Sequence, residues 1–286
     1  MFNSLPQALI KFLADAGFGE IRQLEKLNVG HINQNYRLTT SSQHSFILKR
    51  NELKPRLFEY EAAGLKVLAK AGARTPDVLV FGDDFLLLED LGSDEDRTKD
   101  WAQLGRMIAQ LHQHSNEQFG FHYDNYLGSL PQINTWTDNG HEFFGQHRVL
   151  RYLREERCEK ALTAQDRRNL ERLVQRLPDI VPIQAPALLH GDLWHTNILF
   201  DAESKPSLID PAVYYGWPEA ELSMTRQYGN IPQVFYDAYN EVNPLEKGWW
   251  DRLELLTIRQ CMAVLAFFGN QYKTLEEMRA IIAKFS

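Results

Sequence analysis

Apolar positions follow two different rhythms along this chain. In the first ninety or so residues, segments 21–27, 34–39 and 45–49 read as strands, with Gly30 and a Ser41-Ser42-Gln43 turn between them. Segment 57–71 shifts to helical spacing, carrying Leu57, Tyr60, Ala63, Leu65, Val67 and Leu68, and Gly72 is a fitting stop. Segments 78–81 and 85–88 read as two strands joined around Gly82-Asp83-Asp84, a hairpin signal. A short amphipathic helix precedes them. Beyond Leu91 the rhythm becomes helical over 101–114, 142–159, 166–177, 249–268 and 275–285. One interruption stands out: Ile198-Leu199-Phe200 and Ser207-Leu208-Ile209 flank a polar turn and predict a lone hairpin. Strands first and helices afterwards make an α+β chain of two lobes. We place an N-terminal lobe and hinge at 1–91 and a helical C-terminal lobe at 92–286, with acidic residues 93–100 at the junction. A cleft between lobes is a natural ligand site.

Composition narrows this further. The chain has 286 residues, 44% of them hydrophobic and 24% charged, so it can bury a substantial core. A formal net charge of −7 argues against a nucleic-acid binder but not against a nucleotide site, which a few lysines and backbone N–H groups can build. The only cysteines, Cys158 and Cys261, are far apart, which points to a reducing compartment. The N-terminus is broken by Pro6, Lys11 and Asp15 and lacks the pattern of a signal peptide. With no apolar stretch of bilayer-spanning length, the expectation is a cytoplasmic protein with no membrane partner.

The chemistry concentrates in LLHGDLWHTNILF, residues 188–200, and SLIDP, residues 207–211. Asn197 lies five positions after Asp192, and Asp210 follows the predicted hairpin. Phosphoryl transfer needs few protein groups, because catalysis is mainly positioning and charge neutralisation. One carboxylate must orient the attacking hydroxyl and accept its proton, a role that fits Asp192. A carboxylate and an amide oxygen must hold Mg²⁺ against the phosphates of ATP, and Asp210 and Asn197 suit that hard cation. The spacing matches the kinase catalytic loop and metal-binding aspartate. Any one of these residues could be a cap, a turn residue or, for His190, a satisfied core histidine; the constellation is much harder to obtain by chance.

The N-terminal half supplies partners. Lys49 ends a strand and Glu61 lies on the next helix, the places of the phosphate-bridging lysine and its orienting glutamate in kinases, with Glu59 competing for the second role. In NVGHINQNYRL the single Gly30, with Asn33, would cover phosphates, although a plain hairpin explains that segment equally. Glu89-Asp90-Leu91 sits where an interlobe hinge would offer backbone hydrogen bonds to adenine, with Glu89 and Leu91 as candidates. Trp136, Phe143, Phe144, Trp194, Tyr214, Tyr215 and Trp217 could line a sugar or amine site, though aromatic residues taken singly are more often core. Over 142–159, His147, Arg148, Arg151 and Arg154 read as a solvated basic face.

These motifs resemble the fructosamine kinase (ketosamine-3-kinase) family, itself similar to aminoglycoside phosphotransferases and choline kinases. The resemblance runs through LFEYEAAGL (57–65), FGFHYDNYLGSLPQINTW (119–136), EFFGQHRVL (142–150), LLHGDLWHTN, IDPAVYYG (209–216) and FYDAYNEVNPL (235–245). It implies a protein-kinase-like fold, use of Mg-ATP, and phosphorylation of the sugar 3-hydroxyl of a ketoamine in deglycation. It implies Asp192 as base, Asn197 and Asp210 as metal ligands, Lys49 with Glu61 on the phosphates, and Trp194 against the sugar; from the aromatic set we add Tyr215 as a second substrate residue. The chain departs from the family in three places. Val29-Gly30 replaces a Gly-Gly pair, and His31 stands where some members carry a cysteine, so thiol regulation does not carry over. Ala263, Val264 and Phe267 occupy positions that in the family often hold Asn, His and His. Another amino-alcohol or an aminoglycoside therefore stays open as acceptor, as does a non-enzymatic nucleotide-binding module.

Overall fold

The computed structural model describes residues 5–27, 33–51, 54, 56–92, 99–228 and 231–285. Helix α1 (Gln7–Asp15) precedes an antiparallel sheet of five strands: β1 (Ile21–Leu27), β2 (Gln34–Thr40), β3 (Ser45–Arg50), β4 (Val78–Phe81) and β5 (Phe85–Glu89). Helix α2 (Leu57–Lys70) falls between β3 and β4. The strand order β1-β2-β3-β5-β4 makes β3 central, and each predicted strand lies within a residue of its expected bounds.

The period-two alternation of strand side chains decides what each face meets. Phe46 and Leu48 of β3, with Phe85 and Leu87 of β5, pack toward Leu9 and Leu13 of α1. The other face carries Ile47 of β3 and Leu86 and Leu88 of β5 against Phe58, Ala62 and Leu65 of α2. Burying each such side chain contributes about 1.5–3 kcal/mol. Lys49 shares the parity of Ile47 and therefore projects toward α2 from a buried central strand. The sheet is thus sandwiched between two helices, with one buried cation on its α2 side.

The remainder is mainly helical: α3 (Trp101–His112), α4 (Gly140–Phe143), α5 (Glu156–Ala161), α6 (Ala164–Ile180), α7 (Pro218–Tyr228), α8 (Gln233–Val242), α9 (Trp249–Leu256), α10 (Ile258–Phe268) and α11 (Thr274–Phe285). Between them lie short strands β6 (Asn125–Leu127), β7 (Leu130–Gln132), β8 (Ala187–Leu189), β9 (Ile198–Phe200), β10 (Pro206–Leu208) and β11 (Tyr214–Gly216). These pair antiparallel as β6–β7, β8–β11 and β9–β10, the last being the predicted hairpin. One large core, including Leu104, Ile108, Phe143, Tyr214, Phe235 and Met262, unites the helices.

Two expected helices differ from the sequence reading. The 142–159 stretch divides into α4, a π-helix over Phe144–Val149, a 3₁₀ segment over Leu150–Arg154, and α5. The wide turn carries Arg148, which is no solvated basic residue: it is 1% exposed, donates to Ile133 O and Asn134 Oδ1, and lies 3.9 Å over the Tyr214 ring. Arg151 is also largely buried. The 249–268 helix breaks at Thr257, whose hydroxyl bonds back to Glu254 O at 2.6 Å and competes with the regular ladder. Among the described residues no helix is long and apolar enough to cross a membrane.

Candidate active site

The site assembles where α2 and β3 meet the β8–β11 region. Gly64 of α2 lies so close to Pro211 that an added Cβ would sit 3.1 Å from its ring. That approach brings Glu61, one turn earlier, to Lys49. The Lys49 ammonium donates to Glu61 Oε1 at 2.5 Å and to Asp210 Oδ1 at 2.6 Å. Glu59, the rival, faces away and pairs with Arg56. Burial works against the Lys49 charge, yet Asp210 and Glu61 outweigh it and the pKa is raised. Burial also pushes the Glu61 carboxyl up, with Lys49 pulling it back.

Asp210 adopts φ +56°, a left-handed conformation that a non-glycine residue holds only at a cost of about 1–2 kcal/mol. Its neighbour Ile209 donates its N–H to Asn197 O at 3.1 Å, which ties the Asp210 chain to the 3₁₀ turn His195–Asn197. The Asn197 amide donates to both Asp192 O and Asp192 Oδ2 at 2.9 Å. Its Oδ1 is then the atom that could face a cation, and Asp210 retains Oδ2 beside its Lys49 bond. This hard-oxygen pair suits Mg²⁺. Among the described residues, no cluster of three His, Cys, Asp or Glu forms a separate metal centre.

The turn carrying Asp192 is pinned from beneath. His190 is fully buried; its Nε2 meets Ile209 O at 2.9 Å and its Nδ1 accepts from Asp192 N at 3.2 Å, so the ring joins both strands of the site. Burial lowers its pKa. Glu221 of α7 accepts two consecutive backbone N–H groups, His190 at 2.9 Å and Gly191 at 2.6 Å. It also meets His112 Nε2 at 3.0 Å, and His112 Nδ1 meets Tyr239 OH at 2.8 Å. Burial opposes the Glu221 charge, but these donors hold its pKa lowered. Gly191 itself needs φ +85° and would place a Cβ 2.0 Å from Ala212 O, so no larger residue fits. On Asp192, burial and Asp210 together exceed the opposing pull of Arg259 and Asn197, and its pKa is pushed up to about 7.

The remaining candidates are placed as follows. Asn33 accepts from Asn51 Nδ2 at 2.8 Å, while Gly30 lies outside the described residues. Glu89 closes β5 opposite Phe46, its N–H bonded to Asp77 O, and Leu91 follows half-buried. Asp90 is fastened by Arg37 and Ser45. Trp194 is half-buried beside His195. Tyr215 pairs with Leu188 and faces Trp136 and Phe121, with rings 6.3 and 6.1 Å apart. Ala263 is buried in the core, with Val264 and Phe267 half-buried on the same helix. Phe143, Phe144, Tyr214 and Trp217 are all core residues. The residues the sequence did not announce are Glu221, His112 and Arg259. Each reaches the site from a helix distant in sequence, and no spacing within the chain marks them.

A family model for fructosamine kinase matches residues 5–285, and the chain belongs to that family. An Enterococcus faecium protein named a probable ketoamine kinase is 36% identical over 249 residues, covering 85% of this chain and 88% of that one. A chloroplastic protein-ribulosamine 3-kinase of Arabidopsis thaliana is 30% identical, covering 89% and 80%. The crystal structure assigned as a fructosamine-3-kinase from Thermobifida fusca superimposes with a TM-score of 0.86 at 29% identity, over 98% of this chain and 99% of that one. The Streptococcus pneumoniae choline kinase structure shares the fold, with a TM-score of 0.64 at 15% identity over 98% of both chains. The chain is therefore a kinase, of mixed α+β, protein-kinase-like architecture.

Proposed function

We propose that this kinase transfers the γ-phosphoryl group of ATP to the sugar 3-hydroxyl of a ketoamine, the first step of deglycation. The observation that carries the reading is that Glu61, Lys49 and Asp210 join in one chain of ion pairs, with Asn197 bonded to Asp192 and tied to Asp210 through its neighbour Ile209. The family match and the kinase relatives named for ketoamine and ribulosamine support the acceptor class.

In this reading Asp192 accepts a hydrogen bond from the acceptor hydroxyl and takes its proton as the new O–P bond forms. The bond between the γ-phosphorus and the bridging oxygen breaks, ADP departs, and Asp192 returns the proton to solvent. A base whose pKa lies near the working pH combines adequate basicity with a sizeable ionised fraction. Lys49, oriented by Glu61, holds phosphate oxygens. Asn197 and Asp210 would hold Mg²⁺, which when bound would supply charge neutralisation at the phosphates. Gly30 and Asn33 cover the nucleotide, and backbone groups of Glu89 and Leu91 face the adenine at a hinge between lobes 1–91 and 92–286. Trp194 and Tyr215 contact the acceptor.

The test is ADP release with Mg-ATP across fructoselysine, ribuloselysine, choline and an aminoglycoside, with products identified by mass spectrometry. Ketoamine-dependent release is expected, falling by about 10²–10⁴-fold in Asp192→Asn with ATP affinity retained. Turnover of choline or the aminoglycoside alone would replace the ketoamine assignment, and silence across the panel would refute the proposed reaction.

A further inference from the structure

Arg259 of α10 is 1% exposed, and the hydrogen-bond partners of its guanidinium are all neutral groups. Its Nη2 donates to Gly191 O at 2.8 Å and to Gln132 Oε1 at 3.3 Å, and its Nη1 approaches Met224 Sδ at 3.3 Å. Its Nε is buried without a partner. Such a cation is expensive to bury, so its retention calls for a reason beyond packing. The reason is visible at Gly191. The N–H of this residue is taken by the buried carboxylate of Glu221 and its C=O by the buried guanidinium of Arg259. Opposite charges grip the two ends of the residue that immediately precedes Asp192. Burial opposes the Arg259 charge, and Tyr214, Tyr152, Asp192 and Glu221 outweigh that effect.

We propose that Arg259 is a positioning residue for phosphoryl transfer: by donating to the Gly191 carbonyl, it fixes the Gly191–Asp192 peptide and so aims the Asp192 carboxylate. The side chain is closed to substrate, and its one hydrogen bond to the Asp192 turn is made through that peptide. The proposal rests on the kinase reading above but not on the ketoamine assignment.

The test measures kcat and KM in Arg259→Met and Arg259→Lys, using whichever acceptor the unaltered protein phosphorylates or, failing any, water as the acceptor in ATP hydrolysis. Arg148→Met is the comparison, because Arg148 is equally buried but bonds to Ile133 and Asn134 instead of the Asp192 turn. We expect R259M to lose about 10²-fold in kcat, the scale of a displaced catalytic group, with KM for ATP within about threefold. R259K should recover much of that loss, since its ammonium can still donate to the carbonyl. R148M should lose kcat by no more than about threefold in folded protein. If R259M does not fold, R259L, which likewise removes the donor, takes its place. A kcat within threefold of the unaltered protein in R259M or its substitute overturns the proposal, as does an equal kcat loss in R148M at equal thermal stability. Failure on ketoamines with turnover of another acceptor would sink only the substrate assignment.

Discussion

Replacing Glu221 by Gln changes one oxygen into an NH₂ group and leaves the volume intact. In the native site Oε2 accepts from His112 and His190, and Oε1 from Gly191. If the amide oxygen takes the Oε2 position, its NH₂ faces the Gly191 N–H, donor against donor. The reverse orientation confronts the His190 N–H instead, even if His112 changes tautomer. Either way, one buried backbone N–H loses a charge-assisted bond and gains no replacement. The cost is about 2–4 kcal/mol, a large share of a total stability of about 5–15 kcal/mol. For a chain of this size that is a fall of roughly 3–7 °C in Tm. Because the affected N–H belongs to the turn before Asp192, a displacement on the order of 1 Å should also cost about 10²-fold in kcat. Differential scanning calorimetry and ADP release on the same preparations check both numbers. A Tm within 2 °C and a kcat within about threefold of the unaltered protein would refute the reasoning.

Two further outcomes follow from the charged contacts. Lys49→Met leaves the buried Glu61 carboxylate without its cation; we expect a loss of about 3–5 kcal/mol in urea unfolding and weaker ATP binding by calorimetry. Unchanged stability would mean Glu61 is protonated in the folded protein. Asp166 accepts both bonds of the Arg279 guanidinium at 2.9 Å and completes a capping box with Thr163, so Arg279, against the opposing effect of burial, holds its pKa lowered. A depressed folded-state pKa gives stability that is present above the unfolded value of about 3.9 and fades as pH falls below it. Asp166→Asn should therefore be less stable than the native protein at pH 7, with the gap shrinking at about pH 3. A gap independent of pH would exclude the ionic contribution.

The sheet was legible in the sequence because its strands alternate over several residues between clear turn signals. Asp192, Asn197 and Asp210 could be picked out as candidates because kinase chemistry fixes residue types at short spacing, and Lys49 and Glu61 only by their place in the order of elements. The three-residue strands β6, β7, β8 and β11 were not legible, since three positions carry no measurable period. Nor was the π-helix, which carries Arg148 inward to Asn134, a contact with another segment. Glu61 and Glu59 could not be separated by spacing alone, and the approach of Gly64 to Pro211 accompanies the choice of Glu61. Glu221 and Arg259 were hidden for the same reason: their partner is the backbone of Gly191, which leaves no complementary residue type for a sequence pattern to reveal.

The contact between Lys49 and Asp210 spans 161 positions of the chain. Its consequence is an order of events during refolding. The strand that carries the lysine and the turn that carries the aspartate form from different regions, so neither region alone can make this ion pair. Closing so long a loop adds little entropy cost over a moderately long one, but the contact rewards that cost only once both ends are in place. Recovered catalysis therefore reports the final docking event. In a stopped-flow experiment, return of turnover should lag return of helical circular dichroism, and a folding intermediate with only one region structured would be catalytically silent.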